Sequence, residues 1–257
     1  MKKILPLFWA TTLMLFGASS AAQAQDEVTM RYMTSHGGIA AHELADALGY
    51  FKGTGITFKS AGYASGGPES LFALASGSID IGSAATPAVI NSIAGGNQFV
   101  AAYPTNGIDN TTKSIFYVRE DSPIKSVKDL AGKSIAINTL GAHLDYTVRE
   151  ALHKAGLPEK AARLVAVPGP QLEQTLRSGQ VDVAAFGYWQ TTFEGVARSH
   201  GGLRPILNDT EVLGPIAGGF TVLRADFVKA HPQAARDFVL QSARALDFAR
   251  ENPEKTR

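Results

Sequence analysis

The chain matches itself once, and that match limits what it can fold into. Gly67-Pro68-Glu69-Ser70-Leu71-Phe72-Ala73-Leu74-Ala75-Ser76-Gly77-Ser78-Ile79-Asp80-Ile81 is answered by Gly169-Pro170 through Leu176, Ser178-Gly179 and Val181-Asp182-Val183, with identical Gly, Pro, Leu, Ser, Gly and Asp at one constant offset. Each copy reads as a helix opened by Pro in its first turn and closed by Gly just past its end, with a short β-branched strand after it. Upstream, Ser35-His36-Gly37-Gly38 leads into a helix over Ala40–Tyr50, as Thr139-Leu140-Gly141-Ala142 leads into one over Leu144–Ala155, at a slightly longer offset. Two such pairs in the same order predict two lobes of similar strand–loop–helix construction. A solenoid is excluded, because it needs about three or more copies.

The remaining pattern agrees. Strands are expected over Val28–Met33, Ile56–Lys59, Ile79–Ile81 and Phe99–Tyr103, with helices over Ala40–Tyr50, Pro68–Ala75 and from Thr86, read as the N-cap ahead of Pro87. After a polar stretch, Thr105–Lys113, strands resume at Ser114–Arg119, Ile135–Asn138, Arg163–Val167, Val181–Ala185 and Pro205–Leu207, and Ser126–Asp129 carries a helix-start signature. Gly214–Gly219 is a second glycine-rich crossing, followed by a strand over Phe220–Leu223. A helix over Pro232–Glu251 then puts Ala235, Phe238, Val239, Ser242, Leu246 and Ala249 on one face. Strands alternating with helices predict an α/β fold of open, mostly parallel sheets.

Composition enters by exclusion. At 45% hydrophobic and 18% charged residues the chain has apolar material for a true core. A formal charge of +1 is too balanced for a protein that grips nucleic acid, so no nucleic-acid partner is expected. Cysteine is absent, which removes disulfides, thiolate metal sites and cysteine nucleophiles together. Residues 1–24 read as a cleavable signal peptide: Lys2 and Lys3 precede an apolar run over Ile4–Phe16 and an Ala22-Gln23-Ala24 cleavage site. That run is well short of the roughly 20 residues a bilayer span needs. Losing Lys2 and Lys3 turns the charge slightly negative. With no cysteine to carry a lipid, a soluble protein of a Gram-negative periplasm is expected, where ATP-driven chemistry has no nucleotide.

In open α/β sheets, small ligands sit outside the carboxyl ends of strands, where helix N-termini offer free N–H groups. Four loops there are built from small residues that admit a ligand to the backbone: Ser35-His36-Gly37-Gly38, Ser65-Gly66-Gly67, Ser83-Ala84-Ala85-Thr86 and Thr139-Leu140-Gly141-Ala142-His143. Hydroxyls, N–H groups and positive helix ends suit an oxyanion. His36 and His143 occupy equivalent places, whereas His42, His153, His200 and His231 read as surface or capping residues. Catalytic signatures fail on spacing. His42-Glu43-Leu44-Ala45-Asp46 ends in Asp where a zinc motif needs His, and Gly132-Lys133-Ser134 lacks the earlier glycine of a phosphate loop. Asp80 and Asp182 are repeat equivalents that terminate helix–strand turns. No metal and no cofactor is expected.

From about Val28 onward the sequence resembles the periplasmic substrate-binding proteins of ABC importers for aliphatic sulfonates, taurine and nitrate. The resemblance rests on Leu74-Ala75-Ser76-Gly77-Ser78-Ile79-Asp80-Ile81-Gly82, the run from Ser122-Pro123-Ile124 to Ala131-Gly132-Lys133, Arg177-Ser178-Gly179-Gln180-Val181-Asp182, and His231-Pro232 opening the late helix. It implies a two-lobed type II periplasmic-binding-protein fold: residues 25–110 in lobe 1, 111–216 in lobe 2, and 217–257 returning to lobe 1. Two hinge crossings join the lobes. It also implies a small organic anion as ligand, a permease and ATPase at the inner membrane as partners, and action as a monomer. Family members extend well past Arg257, so further helices completing lobe 1 are expected. By position, the ligand loops are those around Ser35–Gly38, Ser65–Gly66, Ser83–Thr86 and Thr139–His143. Where the family often carries Trp-x-Pro, this chain has Gly187-Tyr188-Trp189. Either the missing indole at Gly187 widens the site for a bulkier sulfonate or an aromatic carboxylate, or Trp189 fills the gap. Nitrate, bicarbonate or a pyrimidine-type ligand and a sensor role are the alternatives. An enzyme like the pyrimidine-precursor synthases of thiamine biosynthesis is disfavoured by the export signal and the absent cysteine.

Overall fold

The computed structural model describes residues 27–35 and 38–256, with only the backbone of Ser35. The expected signal peptide, His36 and Gly37 lie outside the described residues.

Ten strands form two five-stranded sheets. β1 (Val28–Ser35), β2 (Ile56–Ala64), β3 (Ile81–Ala85), β4 (Phe99–Ile108) and β10 (Ile216–Arg224) make the first, in the order β2-β1-β3-β10-β4. β5 (Ile115–Arg119), β6 (Ser134–Ile137), β7 (Arg163–Ala166), β8 (Val183–Phe186) and β9 (Leu203–Asn208) make the second, in the order β7-β6-β8-β5-β9. The internal match is therefore architectural: β1, β2 and β3 correspond to β6, β7 and β8, three parallel strands in each sheet. The fourth strand in each order runs antiparallel to both neighbours. It is also the strand that arrives from the other sheet. Chain direction then puts the carboxyl ends of the parallel strands on the same side as the two crossings, 109–114 and 209–215, so both sheets aim these ends at one cleft.

The repeated motif folds as its residues require. α2 (Gly67–Ala75) and α5 (Leu172–Arg177) both end in a glycine with positive φ, Gly77 and Gly179, each at +76°. Ser78 N donates to Ala73 O and Gln180 N to Thr175 O, the six-residue closure that satisfies a helix's last carbonyls. In the second copy Gly169-Pro170-Gln171 forms a 3₁₀ turn ahead of the helix. The next Asp secures the neighbouring strand. Asp80 Oδ2 accepts Arg31 N of β1 at 2.9 Å, and Asp182 Oδ2 accepts Ser134 N of β6 at 2.8 Å. The structural role read for both aspartates holds.

Apolar clusters fill both faces of each sheet. Met30, Ile81, Leu223 and Phe238 pack on one face of the first sheet under α1 (Ala41–Ala47), α8 (Ala225–Ala230) and α9 (Pro232–Glu251). Leu71, Leu74, Ile79, Val89 and Val222 pack on the other under α2 and α3 (Thr86–Ala94). In the second sheet Phe116, Ile135, Leu144 and Val148 lie under α4 (His143–Lys154), and Tyr117, Leu172, Leu176 and Phe186 lie under α5 and α6 (Thr191–Ser199). A short α7 (Asp209–Leu213) precedes the return crossing.

Several boundaries depart from expectation. β3 begins at Ile81 and runs through Ser83-Ala84-Ala85, which the sequence places in a loop, because these residues pair with Thr221, Phe220 and Gly219 of β10. Their small side chains suit close packing of α2: a Cβ on Gly67 would stand 2.6 Å from that of Ala84. β4 likewise continues to Ile108, through half of the expected polar stretch, since β10 supplies a partner as far as Ile216. Thr86 is the first helical residue rather than the N-cap, and its hydroxyl donates to Ala217 O at 2.7 Å.

Candidate functional site

At the cleft, α2 and α4 bring their N-termini together from opposite lobes. A Cβ on Gly66 would stand 2.7 Å from Thr139 Cγ2, and one on Gly141 would stand 3.8 Å from Pro68. The structure thus brings together the expected loops at Ser65-Gly66 and Thr139–His143, with the lobes in contact. Gly66 is extended, at φ −178°, so it is the approach of Thr139, not backbone strain, that suits glycine here. Gly141 does have positive φ, at +69°, and Gly38 at +136°.

The N–H groups expected to be free are already partly engaged. Glu43 accepts from Ala40 N at 2.8 Å, Glu69 from Ser65 N at 2.7 Å, and Asp145 from Gly141 N at 2.7 Å. Glu69 also takes the Ser65 hydroxyl, and the side-chain and backbone bonds from Ser65 hold its carboxyl below the usual range. Three of the helices that open on the cleft therefore carry a carboxylate folded onto their own first turn, as helix-dipole and capping energetics favour. Asp145 is paired with Arg149 at 2.5 Å. Thr86 is occupied by Ala217. Ser83 is exposed, Ala84 is buried, and Ala85 and Thr139 are half-buried. Leu140 is 52% exposed beside the cleft. Ala142 is the N-cap of α4 and is buried.

His143 does not present its ring to solvent. It is 2% exposed, and its Nε2 lies 2.7 Å from Asp209 Oδ2. A carboxylate oxygen accepts, so Nε2 is read as the donor in this contact, and Nδ1 has no hydrogen-bond partner among the described residues. Asp209 also accepts Ser114 N at 2.9 Å, while Ser114 Oγ accepts Tyr188 N at 3.1 Å. Tyr188 donates its hydroxyl across to Asn106 Oδ1 of β4 at 2.9 Å, and burial pushes its pKa up to about 12. His143 thus braces the hinge. His42 also departs from expectation. It is 4% exposed, enclosed by Tyr32, Phe58 and Phe238, and is a core residue of lobe 1.

The structure answers the question at Gly187. A Cβ there would stand 2.6 Å from the Trp189 ring, whose indole also meets His143 and Tyr188 edge-on. The Trp189 ring thus occupies the space beside Gly187. Sequence reasoning missed Asn138, Tyr188, Asp209 and Asn106. Asn138 follows β6 at its carboxyl end, and its Oδ1 is buried with no protein partner among the described residues. A buried acceptor without a donor costs about 1–3 kcal/mol, which a ligand's donor at the cleft would relieve. Its signal was visible: a polar residue directly after the apolar run Ile135-Ala136-Ile137.

A family model described as NMT1/THI5 like matches residues 34–256. The chain belongs to the NMT1/THI5-like family. Among solved structures it is similar to the periplasmic aliphatic sulphonate binding protein SsuA from Escherichia coli, at 22% identity and TM-score 0.69, over 89% of this chain and 76% of that one. It is similar too to the alkanesulfonate-binding protein SsuA from Xanthomonas axonopodis pv. citri bound to MOPS, at 22% identity and TM-score 0.67, over 90% of this chain and 78% of that one. A third is a putative periplasmic sulfonate-binding protein SsuA from Methylobacillus flagellatus KT, at 25% identity and TM-score 0.64, over 90% and 72%. No curated protein matches the chain. This NMT1/THI5-like chain has the periplasmic-binding-protein fold, and these structural neighbours are named as sulfonate-binding proteins. Among the described residues no helix is long and apolar enough to cross a membrane.

Proposed function

We propose that this chain is the exported solute-binding component of an ABC import system. It captures a small organic anion, a sulfonate in first place, between its lobes and delivers it to a membrane permease driven by an ATPase. Residues 1–24 serve as the export signal; residues 25–110 and 217–257 form lobe 1, and residues 111–216 form lobe 2. The observation that carries this reading is the meeting of Gly66 and Thr139, from opposite lobes, at the carboxyl ends of the parallel strands of both sheets. Lobe closure there excludes water and strengthens every dipole that faces the solute.

The engaged N–H groups narrow the contacts. Ser65, Thr86 and His143 are committed within the protein, so the Ser83 and Thr139 hydroxyls, the Asn138 side chain and the backbone around Leu140 are the proposed contacts. The carboxylates of Glu43, Glu69 and Asp145 favour a second reading, in which the solute also carries an amine or ring N–H donors, as an aminosulfonate or a pyrimidine-type ligand does. A calorimetric panel of sulfonates, aminosulfonates, nitrate, bicarbonate and aromatic acids separates these. Heat from none of them, with the lobes shown folded, would discard the anion reading.

A further inference from the structure

We propose that Tyr146 and Asn91 form a latch that holds the two lobes together before any solute arrives. α4 belongs to the second lobe: Leu144 and Val148, flanking Tyr146 on this helix, are fully buried against the second sheet. Tyr146 points the other way. Its ring packs on the first lobe's cluster of Leu71, Leu74 and Val89. Its hydroxyl accepts the amide of Asn91, on α3 of the first lobe, at 3.0 Å. Asn91 is exposed, and neither side chain lies in a ligand loop. Because the contact joins side chains that fill neither lobe's own core, losing it leaves both lobes folded and changes only how they sit. A ring transferred from water to an apolar cluster, with one hydrogen bond added, shifts an open–closed equilibrium about tenfold. A solute then meets a cleft already biased toward closure, and the fraction lost from apparent affinity to opening is small.

The chain's lack of cysteine makes the test direct. Ala94→Cys on α3 and His153→Cys on α4, both exposed, carry a pair of spin labels whose separation reports lobe opening. In solute-free protein the short-distance population is expected to dominate. Tyr146→Ala should move most of it to longer distance, and Tyr146→Phe, which keeps the ring and loses the hydroxyl, should move it part of the way. Asn91→Ala, a surface change that spares both cores, should match Tyr146→Phe. A solute-free distribution that is unchanged by Asn91→Ala, or already long in the parent, overturns the latch. The readout needs no solute, so its failure is separate from failure of any acid to bind.

Discussion

The imidazole of His42 lies 4% exposed with ring centroids of Tyr32, Phe58 and Phe238 at 4.7, 5.3 and 5.6 Å, and neither nitrogen has a hydrogen-bond partner among the described residues. Desolvation there disfavours the charged form and lowers its pKa from 6.5 to about 4. The unfolded chain binds a proton near pH 6.5 that the folded chain refuses until about pH 4. Stability therefore rises with pH across this window. It falls as the solution is acidified, by about 3 kcal/mol once both values are passed. His42→Phe keeps the ring packing and removes the proton site. Urea midpoints measured from pH 7 to 4 should fall less steeply in the variant, and parallel curves would rule the mechanism out. Glu69 makes a different residue-scale prediction. Glu69→Gln keeps an acceptor for Ser65 and removes a negative charge from the mouth of the cleft. Ethanesulfonate, measured by calorimetry, should bind about two- to threefold more tightly, with the gain shrinking at high salt. An unchanged or weaker affinity would place the anion elsewhere.

Between helix and strand, the repeated Asp secures the neighbouring strand in both lobes through different partners. At Asp80 burial opposes ionisation, but hydrogen bonds and charge from Arg31, with Arg224 nearby, hold the carboxyl below its usual range. At Asp182 burial is likewise outweighed by the Ser134 backbone and hydroxyl. Asp182→Ala should cost about 2 kcal/mol by orphaning Ser134 N–H, and Asp80→Ala more, since it strands Arg31 as well; denaturant midpoints rank the two. Equal losses would mean that the arginines contribute nothing. These turns were legible because every signal, Pro, Gly, Ser and Asp, lies within one short window. The extensions of β3 and β4 were not, because β10 pairs with them from the far end of the chain. His42 was misread for the same reason: its aromatic enclosure is completed by Phe238, on a helix that follows the last strand. Local chemistry picked out the loops at Ser65-Gly66 and Thr139–His143, which meet from opposite lobes. Whether Ser65, Thr86 or His143 stayed free depended on Glu69, Ala217 and Asp209, and only the last two are distant in sequence.

Across the whole molecule, two crossings join the lobes, and a hydrogen-bond network centred on Asp209 ties those crossings together. Asp209, fully buried, takes Ser114 N from the first crossing and His143 Nε2 from the cleft helix while standing at the start of the second crossing. Thr210 next to it donates to Asp109 O at 2.8 Å, and Asp109 in turn accepts Thr111 and Thr112 N, so the two crossings are cross-bonded where they leave the sheets. Tyr188 carries the network on to Asn106 of β4. Asp209→Asn preserves size but replaces one of the two oxygens that meet Ser114 N and His143 Nε2 with an NH2 group, so one of the two contacts loses its acceptor. Hydrogen exchange should then speed up about tenfold at the amides of Ser114 and Tyr188, with those of β6 at Ile135 and Ala136 unchanged, because local opening needs less free energy than global unfolding. Uniform acceleration across both lobes would show that Asp209 serves overall stability instead, and no acceleration would show that the crossings do not depend on it. The first pattern alone fits a hinge whose stiffness is set by one buried carboxylate, in a chain whose near-balanced charge leaves closure to local bonds.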